Sequence, residues 1–480
     1  MAAPNAPASK PNPPSNLHLF FTTETSIQIG WEDNNSNISG FNVEYQKPGT
    51  NWSPPISVKA NTKTWWHTKL KTGSSYNYRV QACRNRGACS NWTNDPKTEW
   101  ARKQWDDSSN FNKLDSGLYW FRCGTCRGAG QSDGQPADPN QTSKGQNDTY
   151  FDPTKPTVIY VHGWESGAGR NSRESMQYSA AGQRGQDENL MKYWNGWNVG
   201  IFYWNQFADD DGLPPPYLAE AKIWTPTSTT FVSQGHGGHK EIHVNMRWRK
   251  ADGSFTEVGS PKKAVAELFL DAYVKALKGY IGPGVRIVGH SLGNQVVVAM
   301  VSKLIAKKYA PIPKRIALLD PYWSNLPRPY ITRNGKPQYT ADEVAHLITD
   351  IRTSDDSISF EYYRTTNLSW SKAVSAQTVY SNLHPDYVPV WDQGRAHGEA
   401  VYWYFRSMGY QGNQPTELDC KYDRSHRKGV CNPTGNAAPS AKMQDDKLHT
   451  LMTFSPYRWE QWGGRDKPDL LKDTFERIAK

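Results

Sequence analysis

The chain has 480 residues, and 56 Lys and Arg against 46 Asp and Glu give it a formal net charge of +10. This length predicts about three domains, or one large catalytic domain with a smaller module. The mean hydropathy of −0.78 and the lack of any run of about 18 apolar residues exclude a transmembrane helix. No long Lys or Arg run accompanies the charge, so we expect a diffuse basic surface and no nucleic-acid partner.

The N-terminal part of the chain combines a short tail with a repeated strand pattern. Residues 1–12 are rich in Pro, Ala and Asn, which predicts a disordered tail. From residue 13 to about residue 98, short runs such as 41–45 and 76–82 alternate apolar and polar side chains between turns. This period of two predicts an all-β sandwich.

Several residues of this stretch resemble the fibronectin type III family. They are Trp31, Tyr45, the run 76–80 and a closing Ser90-x-Trp92. The resemblance implies a spacer or a surface-binding module that carries no chemistry of its own.

The six cysteines form three pairs that are local in sequence. An even count with local pairing predicts disulfides and an oxidising compartment, hence a secreted protein. The second pair also permits a redox or zinc C-x-x-C site, although zinc would need a second ligand pair nearby. The pairs are Cys83 with Cys89, Cys123 with Cys126, and Cys420 with Cys431.

From about residue 151 the pattern changes to strands that alternate with helices. Such alternation predicts a mostly parallel sheet with flanking helices, in a catalytic domain that we assign to residues 99–480. The predicted strands are 157–161, 197–204, 285–288, 315–319 and 347–351, and the predicted helices are 260–278, 294–309 and 400–408.

Residues 289–293, Gly-His-Ser-Leu-Gly, lie between a predicted strand and a predicted helix. This is the context of a nucleophile elbow, whose glycines allow the sharp turn that exposes the serine hydroxyl. Ser291 would need a base and an orienting acid, which follow in the order acid, then base. Asp320, at the end of a strand, and His397, in a loop before an aromatic helix, fit this order. Taken singly, Asp320 also fits a turn and His397 a helix cap.

Two further features concern the acid and the oxyanion. Asp355 follows the predicted strand 347–351 and is a rival to Asp320, which we favour. The strand 157–161 ends in His-Gly-Trp, so the backbone N–H groups of Trp164 and Leu292 are the predicted oxyanion hole. In that arrangement His162 is structural.

Together these motifs resemble the pancreatic-lipase-like branch of the α/β hydrolases, over residues 151–408. The resemblance implies hydrolysis of lipid carboxylic esters by Ser291, Asp320 and His397, with no cofactor or metal. Phospholipase A1 and polyester hydrolase are close alternatives, and a catalytically silent surface-binding protein is the non-enzymatic one. The substrate partner would be an ester at a lipid or insoluble polymer surface. The motifs are residues 151–164, residues 289–293, Leu319-Asp320-Pro321 and Ala396-His397-Gly398.

Two segments depart from that family pattern. An insertion at about 209–259 contains a predicted hairpin, 241–250 with 254–258, and we expect it to border the acyl pocket. A C-terminal extension covers about 411–480. Metal binding by three histidines of the insertion is an alternative to a polar loop. The pocket candidates are Leu213, Tyr217 and Trp224, and the histidines are His236, His239 and His243.

Overall fold

The protein forms two compact units, Met1–Ser108 and Ser109–Lys480. A computed structural model describes most of the chain, and every structural statement below concerns the residues it describes. These are residues 9–22, 27–47, 49–70, 76–85, 87–93, 112–121, 134–137, 151–165, 173–174, 176–179, 187–210, 216–235, 238–367, 370–421, 430–466 and 471–480.

The first unit contains two antiparallel sheets, ordered β1-β2-β5 and β4-β3-β6. Alternate residues of these strands point inward, and Trp31, Val43, Tyr78 and Val80 are fully buried between the sheets. The predicted sandwich is therefore present. Its strands are β1 Ser15–Thr22, β2 Ile27–Glu32, β3 Gly40–Gln46, β4 Ile56–Lys59, β5 Thr64–His67 and β6 Asn77–Cys83.

Trp92, which closes this unit, packs against a charged side chain. The Arg79 guanidinium carbon lies 4.3 Å from the ring centre of Trp52 and 4.5 Å from that of Trp92. Its Nε donates to Glu44 at 2.7 Å. A cation held between two indole rings and paired with a carboxylate fixes the outer face of the sheet.

The predicted tail is only partly within the described residues, since residues 1–8 lie outside them. Residues 9–12 lie within them and make hydrogen bonds to the sandwich. The Asn12 N–H donates to Asn35 Oδ1 at 2.7 Å, and Arg84 donates to the Ser9 carbonyl at 3.0 Å. Side chains of the sandwich satisfy these backbone groups, so the segment is held in place.

The second unit is built on a 12-stranded sheet, with the order β24-β23-β26-β25-β22-β21-β18-β17-β9-β12-β7-β8. The run from β22 to β12 is parallel, with β7 added antiparallel beyond β12. The strands are β7 Gly117–Phe121, β8 Gly134–Pro136, β9 Thr157–Val161, β10 Gln177–Ser179, β11 Asp187–Asn189, β12 Asn198–Tyr203, β13 Thr227–Gly235, β14 Gly238–Asn245, β15 Trp248–Arg249, β16 Phe255–Thr256, β17 Val285–His290, β18 Arg315–Leu319, β19 Arg328–Arg333, β20 Lys336–Gln338, β21 Ser359–Arg364, β22 Val379–Asn382, β23 Thr416–Cys420, β24 Cys431–Ala437, β25 Tyr457–Gly463 and β26 Thr474–Ala479.

Helices connect the central strands and cover the sheet. Helix α4 packs against both α3 and α5, whereas α7 and α8 pack against β21. None of the described helices is long and apolar enough to span a membrane. The helices are α1 Asn205–Ala208, α2 Tyr217–Trp224, α3 Val265–Ala276, α4 Gly293–Ala306, α5 Thr340–Ser354, α6 Lys372–Ser375, α7 Gln393–Ser407 and α8 Asp445–Phe454.

Two predicted elements are wrong in type or bounds. Residues 347–351 are not a strand but part of α5, because Val344, Ile348 and Ile351 recur at helical spacing and are buried together. The helix predicted from residue 260 begins at Val265. Its start is fixed by the Glu267 carboxylate, which accepts from the backbone N–H of Ala264 at 3.1 Å.

The C-terminal extension is part of the large sheet. β25 pairs with β22, and β26 and β23 follow it. Two arginines at the start of neighbouring strands anchor the connecting segment. Arg286 donates to the Ala441 carbonyl at 2.7 Å, and Arg315 donates to the Ser440 carbonyl at 2.6 Å. The extension therefore adds strands to the same sheet and belongs to the second unit.

Candidate active site

The nucleophile elbow has the predicted surroundings, between the end of β17 and the start of α4. Ser291 has a backbone φ of +55°, a value that favours glycine and marks a strained turn. Glycine is required on both sides. A Cβ at Gly293 would overlap the Val161 carbonyl, and one at Gly289 would lie 2.8 Å from the Asn294 Cα.

Asn294 locks this turn in place, a role that the sequence analysis missed. Its buried side chain donates to the carbonyls of Ser291 and Leu319, each at 2.9 Å, and accepts from the Leu319 N–H at 3.0 Å. The elbow is therefore tied to β18, the strand that carries Asp320. The available signal was an amide side chain in the first turn of a strongly apolar helix.

Asp320 follows β18 and is fully buried. Its carboxylate accepts from the N–H groups of Thr365 and Thr366 at 2.8 and 3.0 Å, and from the Thr366 hydroxyl at 2.7 Å. A buried carboxylate needs such donors, because losing water without replacement would be costly. The same carboxylate can accept one further hydrogen bond.

That donor is His397, whose Nδ1 lies 2.6 Å from Asp320 Oδ2. Since the carboxylate accepts, Nδ1 carries the proton and Nε2 keeps its lone pair. The His397 side chain is 28% exposed. The described residues contain no hydrogen bond between Ser291 and His397, a contact that often tightens only when substrate binds.

The prediction that His397 lies in a loop is wrong, because His397 lies inside α7. The helix begins at Gln393, seven residues before the predicted start at residue 400, because the Asp392 side chain caps it by accepting from the Arg395 N–H at 3.1 Å. Gly398 has a steric reason: a Cβ there would overlap the Tyr178 hydroxyl. The backbone beside the imidazole is therefore closely packed.

The segment after β9 lies against the serine. A Cβ at Gly163 would be 3.1 Å from Ser291 Oγ. In the described part of the chain, the N–H groups of Trp164 and Leu292 donate to no other group. His162 accepts from the Trp204 N–H at 3.1 Å, and burial lowers the pKa of His162 to about 4. It is therefore a neutral structural residue.

The rival acid Asp355 lies at the wrong edge of the sheet. It follows α5, four residues before β21 begins at Ser359, which pairs with Arg315 at the start of β18. Asp320 lies beyond the other end of these strands, whose five paired residues span about 13 Å. Asp355 instead accepts from the Ser357 N–H at 3.1 Å within a turn.

The insertion is more deeply integrated than predicted. Trp224, in α2, donates from Nε1 to Gln295 Oε1 at 2.8 Å, and Gln295 belongs to the first turn of α4. Tyr217 is buried beneath the Arg328 guanidinium at 4.3 Å. Arg328 also pairs with the buried Glu220 at 3.0 Å. Helix α2 is thus part of the core, with Trp224 directed to the elbow helix.

The predicted hairpin is present in the part next to its turn, where β15 pairs with β16. Residues 241–245 belong instead to β14, which forms a second hairpin with β13. Two candidate residues, Leu213 and His236, lie outside the described residues. His239 and His243 are both in β14, opposite Ser233 and Thr229.

A different group offers ligand atoms for a metal among the described residues. Atoms of His162, Glu165 and Glu174 lie within 4.8 Å of one another. Both ring nitrogens of His162 are already hydrogen bonded, one to Gly163 at 2.9 Å and one to Trp204. A metal there would have to break a buried bond of the strand-end turn.

Two of the predicted disulfides are confirmed, Cys83–Cys89 and Cys420–Cys431. The first closes the last hairpin of the sandwich, and the second joins β23 to β24. Cys123 and Cys126 lie outside the described residues.

Comparison with known proteins identifies the first unit. Residues 12–97 match the fibronectin type III domain family. This segment is a fibronectin type III domain, as predicted. One similar solved structure is the fn3 domain of human collagen alpha-1(XX) chain, with 21% identity over 20% of this chain and 93% of that chain and a TM-score of 0.18. Another is a myokine, with 22% identity over 18% and 90% and a TM-score of 0.16.

Proposed function

We propose that the second unit is a serine hydrolase of the α/β hydrolase fold that cleaves carboxylic esters of lipids. The observation that carries this proposal is the 2.6 Å bond between His397 and the buried Asp320, at the same sheet edge as the strained Ser291 turn. A nucleophile, a base and an orienting acid at the ends of neighbouring parallel strands are what acyl transfer requires.

In the proposed mechanism His397 Nε2 takes the proton of Ser291 Oγ as the oxygen attacks the ester carbonyl. The N–H groups of Trp164 and Leu292 hold the oxyanion of the tetrahedral intermediate. His397 then gives the proton to the departing alcohol, which leaves an acyl-enzyme on Ser291. A water molecule, deprotonated by His397, releases the carboxylic acid. Asp320 keeps the imidazole in the required tautomer and stabilises the imidazolium.

Exposed apolar side chains near this edge favour a substrate that is presented at a lipid surface. Val390 is 88% exposed and Trp391 is 50% exposed, and they lie three and two residues before α7, which carries His397 in its second turn. Trp370, 51% exposed, lies four residues after Thr366, which binds the acid. Large apolar groups exposed together mark interaction surfaces, and indole rings suit a lipid–water boundary.

The proposed location is extracellular. Two disulfides, together with a fibronectin type III domain at residues 12–97, support an oxidising compartment. In this proposal the N-terminal domain is a spacer or surface-binding module, and the second unit carries the chemistry.

A substrate panel tests the proposal. The full chain should hydrolyse p-nitrophenyl butyrate, and its rate per enzyme should rise on emulsified triolein or phosphatidylcholine vesicles. Higher activity on phospholipid than on triolein would indicate a phospholipase A1, and activity on insoluble polyester alone would indicate a polyester hydrolase. Absence of turnover on every ester would favour a silent surface-binding protein.

A further inference from the structure

His290 is in contact with the proposed base. It is the last residue of β17 and directly precedes Ser291. Its Nε2 lies 3.1 Å from the His397 carbonyl oxygen, and the two ring centres are 4.4 Å apart. A carbonyl oxygen only accepts, so His290 donates from a protonated Nε2. The strand of the nucleophile is thereby joined to the helix of the base.

His290 stays neutral while the neighbouring imidazole changes charge. Burial and the adjacent His397 lower the pKa of His290 to about 3, and the smaller effect of Asp320 opposes this. In the neutral ring the proton on Nε2 is committed to the His397 carbonyl. Its Nδ1 is a weak base at that pKa, so His290 competes poorly with His397 for the proton that leaves Ser291.

The base is thus held at two points. Asp320 fixes Nδ1 of the ring at 2.6 Å, and His290 fixes the backbone carbonyl of the same residue at 3.1 Å. Displacement of a catalytic group by about 1 Å can cost about 100-fold in rate. We infer that His290 is a positioning residue that sets where His397 meets Ser291, an inference that rests on the proposed function.

Two substitutions separate its hydrogen bond from its bulk. His290→Leu removes the donor, whereas His290→Gln places an amide N–H near the position of Nε2. For p-nitrophenyl butyrate we expect His290→Leu to lower kcat by about 10- to 100-fold with KM changed by less than about twofold. His290→Gln should restore kcat to within about threefold of the unchanged protein. Wild-type kcat in the Leu variant, or equal loss in both, would overturn the inference.

A second readout does not depend on any substrate. The proton shared by His397 and Asp320 should give a far-downfield proton NMR signal, assigned by its loss in His397→Gln. The signal should broaden through solvent exchange in His290→Leu and stay sharp in His290→Gln, at unchanged thermal unfolding temperature. An unchanged signal in His290→Leu would overturn the positioning role. Broadening in a protein that turns over no ester would uphold it and reject the proposed function. Should the Leu variant not fold, a broadened signal in a folded Gln variant would contradict it.

Discussion

The two edges of the central sheet both carry buried charge, but they use it differently. At the edge where β18 begins, Arg315 is fully buried and all five of its N–H donors are engaged, by Glu361, Ser440, Met443 and Asp445. No N–H donor of Arg315 is left to bind a ligand, so this side chain supports stability.

The opposite edge of the sheet, which carries Ser291, has hydrogen-bonding groups that no described residue uses. In the described part of the chain, the lone pair of His397 Nε2 and the N–H groups of Trp164 and Leu292 have no protein partner. Asp320, at the same edge, accepts hydrogen bonds from several donors, which suits the orienting role that we propose for it. The comparison teaches that burial and charge alone do not mark a site, whereas unused hydrogen-bonding capacity beside a strained nucleophile does.

The largest expected effect is at the edge with unused capacity. Ser291→Ala removes the nucleophile and should lower kcat on p-nitrophenyl butyrate by about a million-fold. The thermal unfolding temperature should not fall, since the hydroxyl makes no hydrogen bond with the described residues. A variant that retained a tenth of the activity would place the nucleophile elsewhere.

Asp320→Asn should lower kcat by about ten-thousand-fold, because an amide would hold His397 in the wrong tautomer. Asp355→Asn is the matched control, an acid at the other edge of the sheet, and its kcat should stay within about twofold of the parent value. The reverse ranking would assign the orienting role to Asp355 and contradict the geometry.

At the saturated edge the effect should be on stability and not on rate. Arg315→Met leaves Glu361 buried without its counter-charge and should lower the free energy of unfolding by about 3 to 5 kcal/mol in a urea titration. Lys263→Met breaks an exposed pair with Asp271 and should leave the urea midpoint of unfolding nearly unchanged. A loss of kcat in folded Arg315→Met, measured at 10 °C, would contradict the prediction that this edge affects stability and not rate.

The smallest effect concerns two adjacent threonines. The Thr366 hydroxyl donates to the oxygen of Asp320 that also meets His397, whereas the Thr365 hydroxyl has no partner among the described residues. Thr366→Val should lower kcat by about tenfold through a less well-held acid. Thr365→Val should leave kcat unchanged. Equal effects of the two changes would contradict a role of the Thr366 hydroxyl in holding Asp320.

Short-range pattern in the sequence was sufficient for several parts of this account. The elbow could be predicted because a Gly-x-Ser-x-Gly run between a strand and a helix is a local feature. Asp320 and His397 followed from chain order and the motifs around them. The fibronectin type III domain could be predicted from alternation and aromatic spacing over residues 13–98.

Contacts between distant residues could not be predicted. Glu220 and Arg328 are 108 residues apart, and their pairing makes helix α2 of the insertion part of the core. Thr366 meets Asp320 across 46 residues, and β25 joins the sheet beside β22 from the far end of the chain. The misassigned strand at 347–351 had a local cause, because five apolar-rich residues are too short to separate a strand from a helix.

Reaction with a fluorophosphonate tests the central claim most directly. Ser291 Oγ should attack phosphorus, fluoride should leave, and the serine proton should pass to His397, so that one phosphonyl group is found on Ser291 by peptide mass spectrometry. His397→Gln should slow this labelling by about a thousand-fold or more, although no ester substrate is involved. Unmodified protein, or labelling at another residue with Ser291 intact, would contradict the assignment of this edge as the active site.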